Sequence, residues 1–261
     1  MIKRVIKFSL IGLLAYVLFL LLRFPASAVV TRVDTRPAVL SGISGSVFNG
    51  EVDTITLPNN ALPTGPEQFL IENVGWRFAP TKLFSGAGGA SISFDAYNGH
   101  GEGQVAQTFS GASQVSDFRY VTDADGINVL LDPLAEVAGQ LAIDVADLTL
   151  RNQLLESFTG MIEWRGTQIL RPVPARLGTV EISIEPDEAE SHVATVAASG
   201  GELTISGTVR VALNGDFSTD LLIQPDPSAS RELTDMLRAM ARPSSDGSFR
   251  VRRNGNFKRM M

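Results

Sequence analysis

The stretch LTISGTVRVALNGDFSTDLLI, residues 203–223, decides the fold class of this chain. Apolar residues occupy every second position over most of it. Its centre is Asn214-Gly215, the dipeptide that most strongly predicts a tight hairpin turn. A period of two is the pattern of a strand that buries one of its faces. The stretch therefore predicts two antiparallel strands, the second of which ends at Pro225.

The same pattern extends over the chain from residue 39 onward. Short apolar alternations are separated by glycine and proline, and the 24 glycines of the chain suit many tight turns. The run 141–150 alternates most clearly and changes phase once, between Val145 and Leu148. Further strands are predicted at 39–51, 53–57, 69–78, 90–97, 105–120, 158–165, 180–184 and 249–251, with turns at 99–103 and 123–126.

These patterns predict a mainly β fold, with a twisted, largely antiparallel β-sheet body. Whether the body is one curved sheet or a sandwich stays open, because strands of both arrangements alternate in the same way. A single helical turn is also predicted at Asp132-Pro133, since proline suits the first position of a helix.

One C-terminal amphipathic helix is predicted near 227–242. Asp226 suits its N-cap, Pro227 its first position, and Pro243 ends it. A single apolar stripe follows at helical spacing, formed by Leu233, Met236, Leu237 and Met240. Such a stripe indicates packing against the sheet, and a helix that fits a partner's groove is the alternative.

The first 28 residues differ from everything that follows. Residues 8–22, FSLIGLLAYVLFLLL, carry no charge, and three cations precede them. A membrane-spanning helix needs about 20 apolar residues, which 5–24 supply if Lys7 and Arg23 extend toward the lipid headgroups. We interpret this segment as an N-terminal transmembrane helix that anchors the chain in the cell inner membrane as a single-pass protein. The excess of cations before the helix predicts a cytoplasmic N-terminus.

A signal peptide is the alternative for residues 1–28. Ala26-Ser27-Ala28 provides the small residues of a cleavage site after Ala28, and the apolar core also suits a signal peptide, whose core has roughly 7–15 residues. The bulky core and the Arg23-Phe24-Pro25 sequence favour a retained anchor. In both cases the body is exported, with 29–38 as a connector and 39–261 as a periplasmic β-rich domain.

The charge distribution bears on the class of partner. The net charge is −6, and because residues 1–30 hold four cations and no acid, residues 31–261 carry a net charge of −10. An acidic body argues against nucleic acid as a partner. The locally basic stretch 250–259 is either a solvated tail or a contact to an acidic partner or lipid headgroup. The chain has no cysteine, which excludes disulfides, zinc–thiolate sites and a cysteine nucleophile.

No motif of catalysis or cofactor binding is present. The chain has no G-x-S-x-G elbow, P-loop or G-x-G-x-x-G, and its two histidines are His100 and His192. His100 with Glu102 would need further ligands at fixed spacing to hold a metal, and His192 is interpreted as a surface residue. We therefore predict that the protein is not an enzyme and that it has no cofactor and no catalytic, cofactor-binding or metal-binding residues.

Several stretches, taken in order, resemble the type II secretion system protein N family of Gram-negative bacteria. Residues 40–50, LSGISGSVFNG, resemble the family's L-x-G-x-x-G-x-x-W-x-G pattern, with Phe48 where that pattern has Trp. Residues 74–83, VGWRFAPTKL, resemble its V-x-W-x-x-x-P-x-x-L segment. The ending is the most specific part, in which 203–209, LTISGTV, is followed by the hairpin, the helix and a last strand.

The resemblance implies an accessory component of the type II protein secretion system that takes part in secretion across the outer membrane through contacts with other subunits. At the level of fold, the body is also similar to the groove-shaped sheets of bacterial lipid-transfer proteins. A periplasmic lipid-binding or lipid-transfer groove is therefore the alternative. A groove requires a continuous open apolar face, whereas an accessory component requires that face to be closed by the helix or by a second sheet.

Overall fold

The structure is a computed structural model that describes residues 23–30, 35–59, 66–131, 134–152, 154–187 and 191–256. Within these ranges, thirteen β-strands follow one another in chain order in a single sheet. Every strand pairing is antiparallel. The prediction of a mainly β, antiparallel body is confirmed, and of the two arrangements left open the described residues adopt the single sheet.

In the described part of the chain, two α-helices and two 3₁₀ helices accompany the strands. The helices are α1 (Ala26–Val30), α2 (Arg231–Met240) and the 3₁₀ helices Pro80–Ser85 and Gly126–Leu130. The strands are β1 (Val39–Gly45), β2 (Asn49–Pro58), β3 (Gln68–Phe78), β4 (Ala87–Ala96), β5 (Gly99–Thr108), β6 (Ala112–Asp123), β7 (Glu136–Arg151), β8 (Leu154–Arg171), β9 (Ala175–Asp187), β10 (Ser191–Gly200), β11 (Leu203–Ala212), β12 (Asp216–Pro225) and β13 (Phe249–Asn256).

A row of directly paired residues crosses the sheet from β4 to β13. Residues opposite one another in a ladder project to the same face, and this row consists of apolar and aromatic residues with two glycines. We call the face that carries it the inner face. In strand order the row is Phe94, Gly101, Tyr120, Ile143, Ile162, Ile182, Val196, Gly207, Leu221 and Val251.

The opposite, outer face is polar, and many of its charges are paired across strands. Arg119 on β6 lies 3.7 Å from Asp144, its direct neighbour on β7. On β12, Asp220 accepts hydrogen bonds from Arg250 at 2.7 Å and from Arg252 at 3.1 Å. These contacts, and most of all the hydrogen bond from Arg250, lower the pKa of Asp220 to about 2. Exposed pairs contribute little stability, but the apolar and charged faces together fix the register of the strands.

The main buried cluster lies where α2 packs on the inner face near the C-terminus. Leu233 and Leu237 of α2 are 1% and 3% exposed, and they belong to one cluster with Leu203, Ile223 and Phe249. The apolar stripe predicted for this helix thus packs against the sheet through its two leucines, while Met240 at its end is exposed.

The predicted start of α2 is wrong. The helix begins at Arg231, and the hydroxyl of Ser230 caps it by accepting from the Leu233 N–H at 3.1 Å. Asp226 instead accepts from the N–H and the hydroxyl of Ser228 at 2.9 and 2.7 Å. The same side chain that suits an N-cap also suits a local turn, and here the turn precedes the helix.

Three further sequence predictions concern the connection from β6 to β7 and the middle of β7. The stretch 123–126 is not a hairpin turn, because Asp125 caps the 3₁₀ helix Gly126–Leu130 by accepting from the Gly126 N–H at 3.0 Å. The predicted helical turn at Asp132-Pro133 lies outside the described residues. The change of phase after Val145 is confirmed as a bulge between β7 and β8.

The described chain begins against the first hairpin of the sheet. The Val47 N–H donates to the carbonyl of Phe24 at 3.0 Å, Pro25 forms a bridge with Ser46, and Ala26 is buried. No helix within the described ranges has both the length and the hydropathy to cross a membrane. The apolar core 8–22 of the predicted anchor lies outside those ranges.

Candidate functional site

The inner face of strands β2 to β7 carries an apolar cavity of about 620 Å³. The strands supply its floor, and the 3₁₀ helix Gly126–Leu130 between β6 and β7 supplies one wall. No charged side chain lines the cavity. Its lining includes Leu57, Ile71, Phe94, Phe118, Ile143 and Leu130.

Glycines spaced two apart on β5 make room for the aromatic floor of this cavity. A Cβ atom on Gly101 would lie 2.5 Å from the Phe94 ring, and one on Gly103 would lie 2.8 Å from the Phe118 backbone. The Phe94 ring stacks on the rings of Phe118 and Tyr120, with centroids 6.1 Å apart in both pairs. Any side chain on this face of β5 would displace these rings.

The prediction that 99–103 forms a turn is therefore wrong. The turn lies at Tyr97 and Asn98, which have φ values of 49° and 59°, and β5 begins at Gly99. The sequence GHGEG suggested a turn because glycine is common where φ is positive. Here its glycines serve the packing of neighbouring rings, a role that the sequence of one strand does not reveal.

The wall of the cavity is held in place by polar contacts made outside its apolar interior. The Asn128 side chain donates to the Val137 carbonyl at 3.0 Å and accepts from the Val137 N–H at 2.9 Å, which fixes the 3₁₀ helix to β7. The Tyr120 hydroxyl donates to the Ala96 carbonyl at 2.7 Å, and burial raises the pKa of Tyr120. The polar groups of Asn128 and Tyr120 are thus bonded to the backbone.

Three buried polar atoms have no hydrogen-bond partner within the described chain. They are the Tyr97 hydroxyl, the Trp164 indole nitrogen and Nε2 of His192. The Tyr97 side chain lines the cavity, and Trp164 pairs with Leu141, another lining residue. Buried unpaired polar atoms destabilise a fold, so their presence here marks a face that is not optimised for stability alone.

The apolar surface continues toward the opposite end of the same strands. A second cavity of about 460 Å³ lies there, lined in part by Phe78, Ala90, Val105 and Val115. On β4, Ala90, Ile92, Phe94 and Ala96 occupy alternate positions and so project to one face. The inner face of β3 to β7 is therefore apolar along its length, and most of its large side chains are only partly buried.

A groove requires an open inner face and a closed body requires a covered one, and the two halves of the sheet differ in this respect. Over β9 and β11 to β13, α2 covers the inner face and forms the buried cluster. Over β2 to β7, the 3₁₀ helix Gly126–Leu130 covers one end and leaves the cavity beside it. Within the described residues, the inner face is thus closed at one side and open at the other.

The two histidines of the chain lie on opposite faces of the sheet. His100 lies on the outer side, where its Nδ1 is 2.7 Å from Oδ1 of Asp95, and this contact together with Asn73 lowers the pKa of Asp95. His192 is only 7% exposed, so the prediction of a surface residue is wrong. Its phase on β10 is that of the inner face, where it pairs with Val211.

The described residues contain no group of three or more histidine, aspartate or glutamate side chains that could hold a metal ion. The cavity is the open apolar surface that the groove alternative requires, but its place on β2 to β7 was not predicted. Its signal was present in the alternating apolar residues, but their pattern does not say which of them stay uncovered.

Comparison with known proteins gives a consistent result. The family model described as "Type II secretion system (T2SS), protein N" matches residues 37–252. The Type II secretion system protein N of Aeromonas hydrophila is 25% identical over 265 residues, which cover 97% of this chain and 99% of that protein. No solved structure gives a significant match.

Proposed function

The chain belongs to the type II secretion system protein N family, and on that premise we propose that it is an accessory component of the type II secretion system. Residues 1–28 anchor it in the inner membrane with the N-terminus in the cytoplasm, and the β-rich body stands in the periplasm. Its contribution to secretion is made through contacts with other subunits of the system.

The observation that carries this proposal is the tight connection between the apolar segment and the sheet. The segment ends at Leu22, and Phe24 is already hydrogen-bonded to Val47 at 3.0 Å in the turn between β1 and β2. Pro25 and Ala26 follow against the same hairpin. A retained anchor would therefore hold this end of the sheet directly at the membrane surface, without a flexible spacer.

The two outermost strands offer the surfaces for subunit contacts. Within the described chain, β1 and β13 each have a hydrogen-bonded neighbour on one side, and the outer edge of such a strand can accept a strand from a partner. The two edges differ in charge. Strand β1 carries no charged residue, whereas β13 carries Arg250, Arg252 and Arg253. Asp220 pairs with the first two, so β12 and β13 together keep an excess of positive charge here, which suits an acidic partner segment.

Affinity purification from gently solubilised inner membranes tests the proposal. A tag placed after Met261 leaves the N-terminus free, and the matched control is the same chain without residues 1–22. We expect the full chain to recover other secretion-system subunits and to begin at Met1, and we expect the control to leave the membrane fraction. A mature chain that begins at Val29 contradicts the anchor, and recovery of the intact chain without those subunits contradicts the accessory role.

A second candidate function, a periplasmic lipid-binding or lipid-transfer groove, is favoured by the open apolar cavity on β2 to β7. It is compatible with membership of a secretion apparatus, because the anchor and the cavity belong to different parts of the chain. Phospholipid recovered together with the purified full chain supports this candidate, and a lipid-free chain contradicts it.

A further inference from the structure

We propose that the inner face of β2 to β7 binds one acyl chain of a phospholipid from the membrane that holds the anchor, with the end of that chain in the 620 Å³ cavity beside the 3₁₀ helix Gly126–Leu130. The inference rests on the proposed membrane anchor and specifies the ligand, its source and its position. It follows from the size of the cavity, the chemistry of its lining and the way the apolar face approaches the membrane end of the sheet.

The volume of the cavity suits a small ligand. Ligand sites in proteins are mostly apolar and occupy roughly 300–1,000 Å³, and a cavity of about 620 Å³ falls within that range. Its lining extends from Leu57 on β2 to Ile143 on β7, a path of about 24 Å at the usual spacing of about 4.8 Å between neighbouring strands. A hydrocarbon chain laid on this lining would contact apolar side chains over its whole length.

The apolar segment 8–22 of this chain is not the occupant, because the proposed anchor places that segment in the membrane.

The lining also excludes an extended peptide. Each residue of a peptide brings a backbone N–H and a carbonyl that need partners when buried. The cavity offers few partners, because the Tyr120 hydroxyl is bonded to Ala96 and the Asn128 side chain to Val137. The unpaired Tyr97 hydroxyl would serve a single backbone group. A hydrocarbon chain needs no such partner, and since no cation lines the cavity, the polar headgroup stays outside it.

The position of the apolar face indicates that the acyl chain comes from the membrane. The end of the sheet that holds the β1–β2 turn also holds the turn between β5 and β6, and the 460 Å³ cavity lies at that end. Phe24 is bonded to Val47 in the β1–β2 turn, directly after the apolar segment. An acyl chain leaving the membrane there would meet Phe78 and Ala90 first and would then follow Ile92 to Phe94 in the larger cavity.

Photochemical labelling in a membrane tests this inference. The full chain is placed in nanodiscs of phosphatidylethanolamine and phosphatidylglycerol that contain a trace of phospholipid with a diazirine at the end of one acyl chain. After irradiation, labelled residues are mapped by mass spectrometry. We expect labels on the inner-face residues Phe94, Phe118 and Ile143, and none on the outer-face residue Met161.

Two substitutions on neighbouring residues of β3 supply the matched control. Ile71 lines the cavity, whereas Leu70 projects from the opposite face and is 44% exposed. In Ile71→Trp the indole occupies space that the acyl chain needs. Labelling in the cavity should therefore fall roughly tenfold, because about two methylenes of the acyl chain lose their apolar contacts. Leu70→Trp should leave the labelling unchanged. Leu57→Trp on β2 repeats the test if Ile71→Trp fails to fold by circular dichroism.

The possible outcomes distinguish a failure of the proposed acyl site from a failure of the proposed membrane anchor. If the chain stays with the nanodisc but labels appear only within residues 1–28, or equally on both faces of the sheet, the acyl site is wrong and the anchor stands. If Ile71→Trp and Leu70→Trp are labelled alike in the cavity, the site is wrong as well. If the chain leaves the nanodisc, the anchor is wrong and the proposed source of the lipid is wrong with it.

Discussion

The two halves of the inner face are built from the same alternating strands and yet are covered differently. Between β12 and β13, 23 residues separate Pro225 from Phe249 and provide the helix α2, which buries Leu233 and Leu237. Between β6 and β7, 12 residues separate Asp123 from Glu136, and the described ones among them form a 3₁₀ helix of five residues. The longer connection seals the sheet, and the shorter one leaves a cavity.

This difference indicates that the covered half contributes mainly to stability and that the open half is available for binding. Residues sealed under α2 contribute the full free energy of burial, while large apolar residues that stay half-buried contribute less to stability and can contact a ligand. The same strand pattern therefore supports a core in one half and a candidate site in the other. The first and the last of the following experiments compare the two halves directly, and the others test contacts within one half.

The largest difference is expected for loss of buried side chains. Leu233→Ala in α2 should reduce the free energy of unfolding by about 3 kcal/mol, because a fully buried leucine is replaced by a cavity. Ile71→Ala in the open half should have clearly less effect, since Ile71 is only partly buried and its removal enlarges an existing cavity. Urea denaturation of both variants measures the difference, and equal losses would contradict the description of the two halves.

The next difference concerns glycines in neighbouring strands of the open half. Gly101→Ala should destabilise the protein by about 1–3 kcal/mol, because the added Cβ is forced against a packed ring and would lie 2.5 Å from Phe94. Gly88→Ala on β4 is the control, since nothing lies within 4 Å of its Cβ. We expect no loss there, and a similar loss in both variants would show that the effect belongs to glycine in strands generally.

A smaller effect is expected at the start of α2. Ser230→Ala removes the hydroxyl that accepts from the Leu233 N–H and should cost about 1 kcal/mol, the usual effect of losing an N-cap. Asp226→Ala tests the position that the sequence favoured as the cap. If Asp226→Ala shortens the helix by circular dichroism and Ser230→Ala does not, the observed start of α2 is wrong.

The smallest effect on stability is expected for the ion pairs of Asp220 at the edge of the covered half, and it depends on pH. The pKa of Asp220 is lowered by Arg250 to about 2, so its ionised form is favoured in the folded protein. The stabilisation is complete above the unfolded value of about 3.8 and is lost as the pH falls toward 2. The difference in urea midpoint between the protein and Asp220→Asn should thus shrink from pH 5 to pH 3. An unchanged difference would rule out this ion pair as its cause.

The sequence predicted the parts of the fold that depend on local pattern. The hairpin at Asn214-Gly215 forms between β11 and β12, since Gly215 adopts the positive φ that such a turn requires. The change of phase after Val145 appears as a bulge because a period of two records which face each residue occupies. These features depend on residues that are close in the chain.

The features that could not be predicted depend on contacts between distant residues. The glycines of β5 are explained only by the rings of Phe94 and Phe118 on neighbouring strands. The choice of Ser230 rather than Asp226 as the cap depends on where α2 must lie to bury Leu233 and Leu237. A single sheet and a sandwich give the same alternation, so the open cavity follows from the arrangement of the elements rather than from their sequence.

Thiol labelling tests most directly whether the inner face is open in one half and covered in the other. The chain has no cysteine, so Ile71→Cys and Ile223→Cys each introduce a single reporter, in the open cavity and beneath α2 respectively. In purified full chain freed of lipid, Ile71→Cys should react with a maleimide at least roughly tenfold faster, because Ile223→Cys becomes accessible only when α2 opens. Similar rates at the two positions would contradict the account.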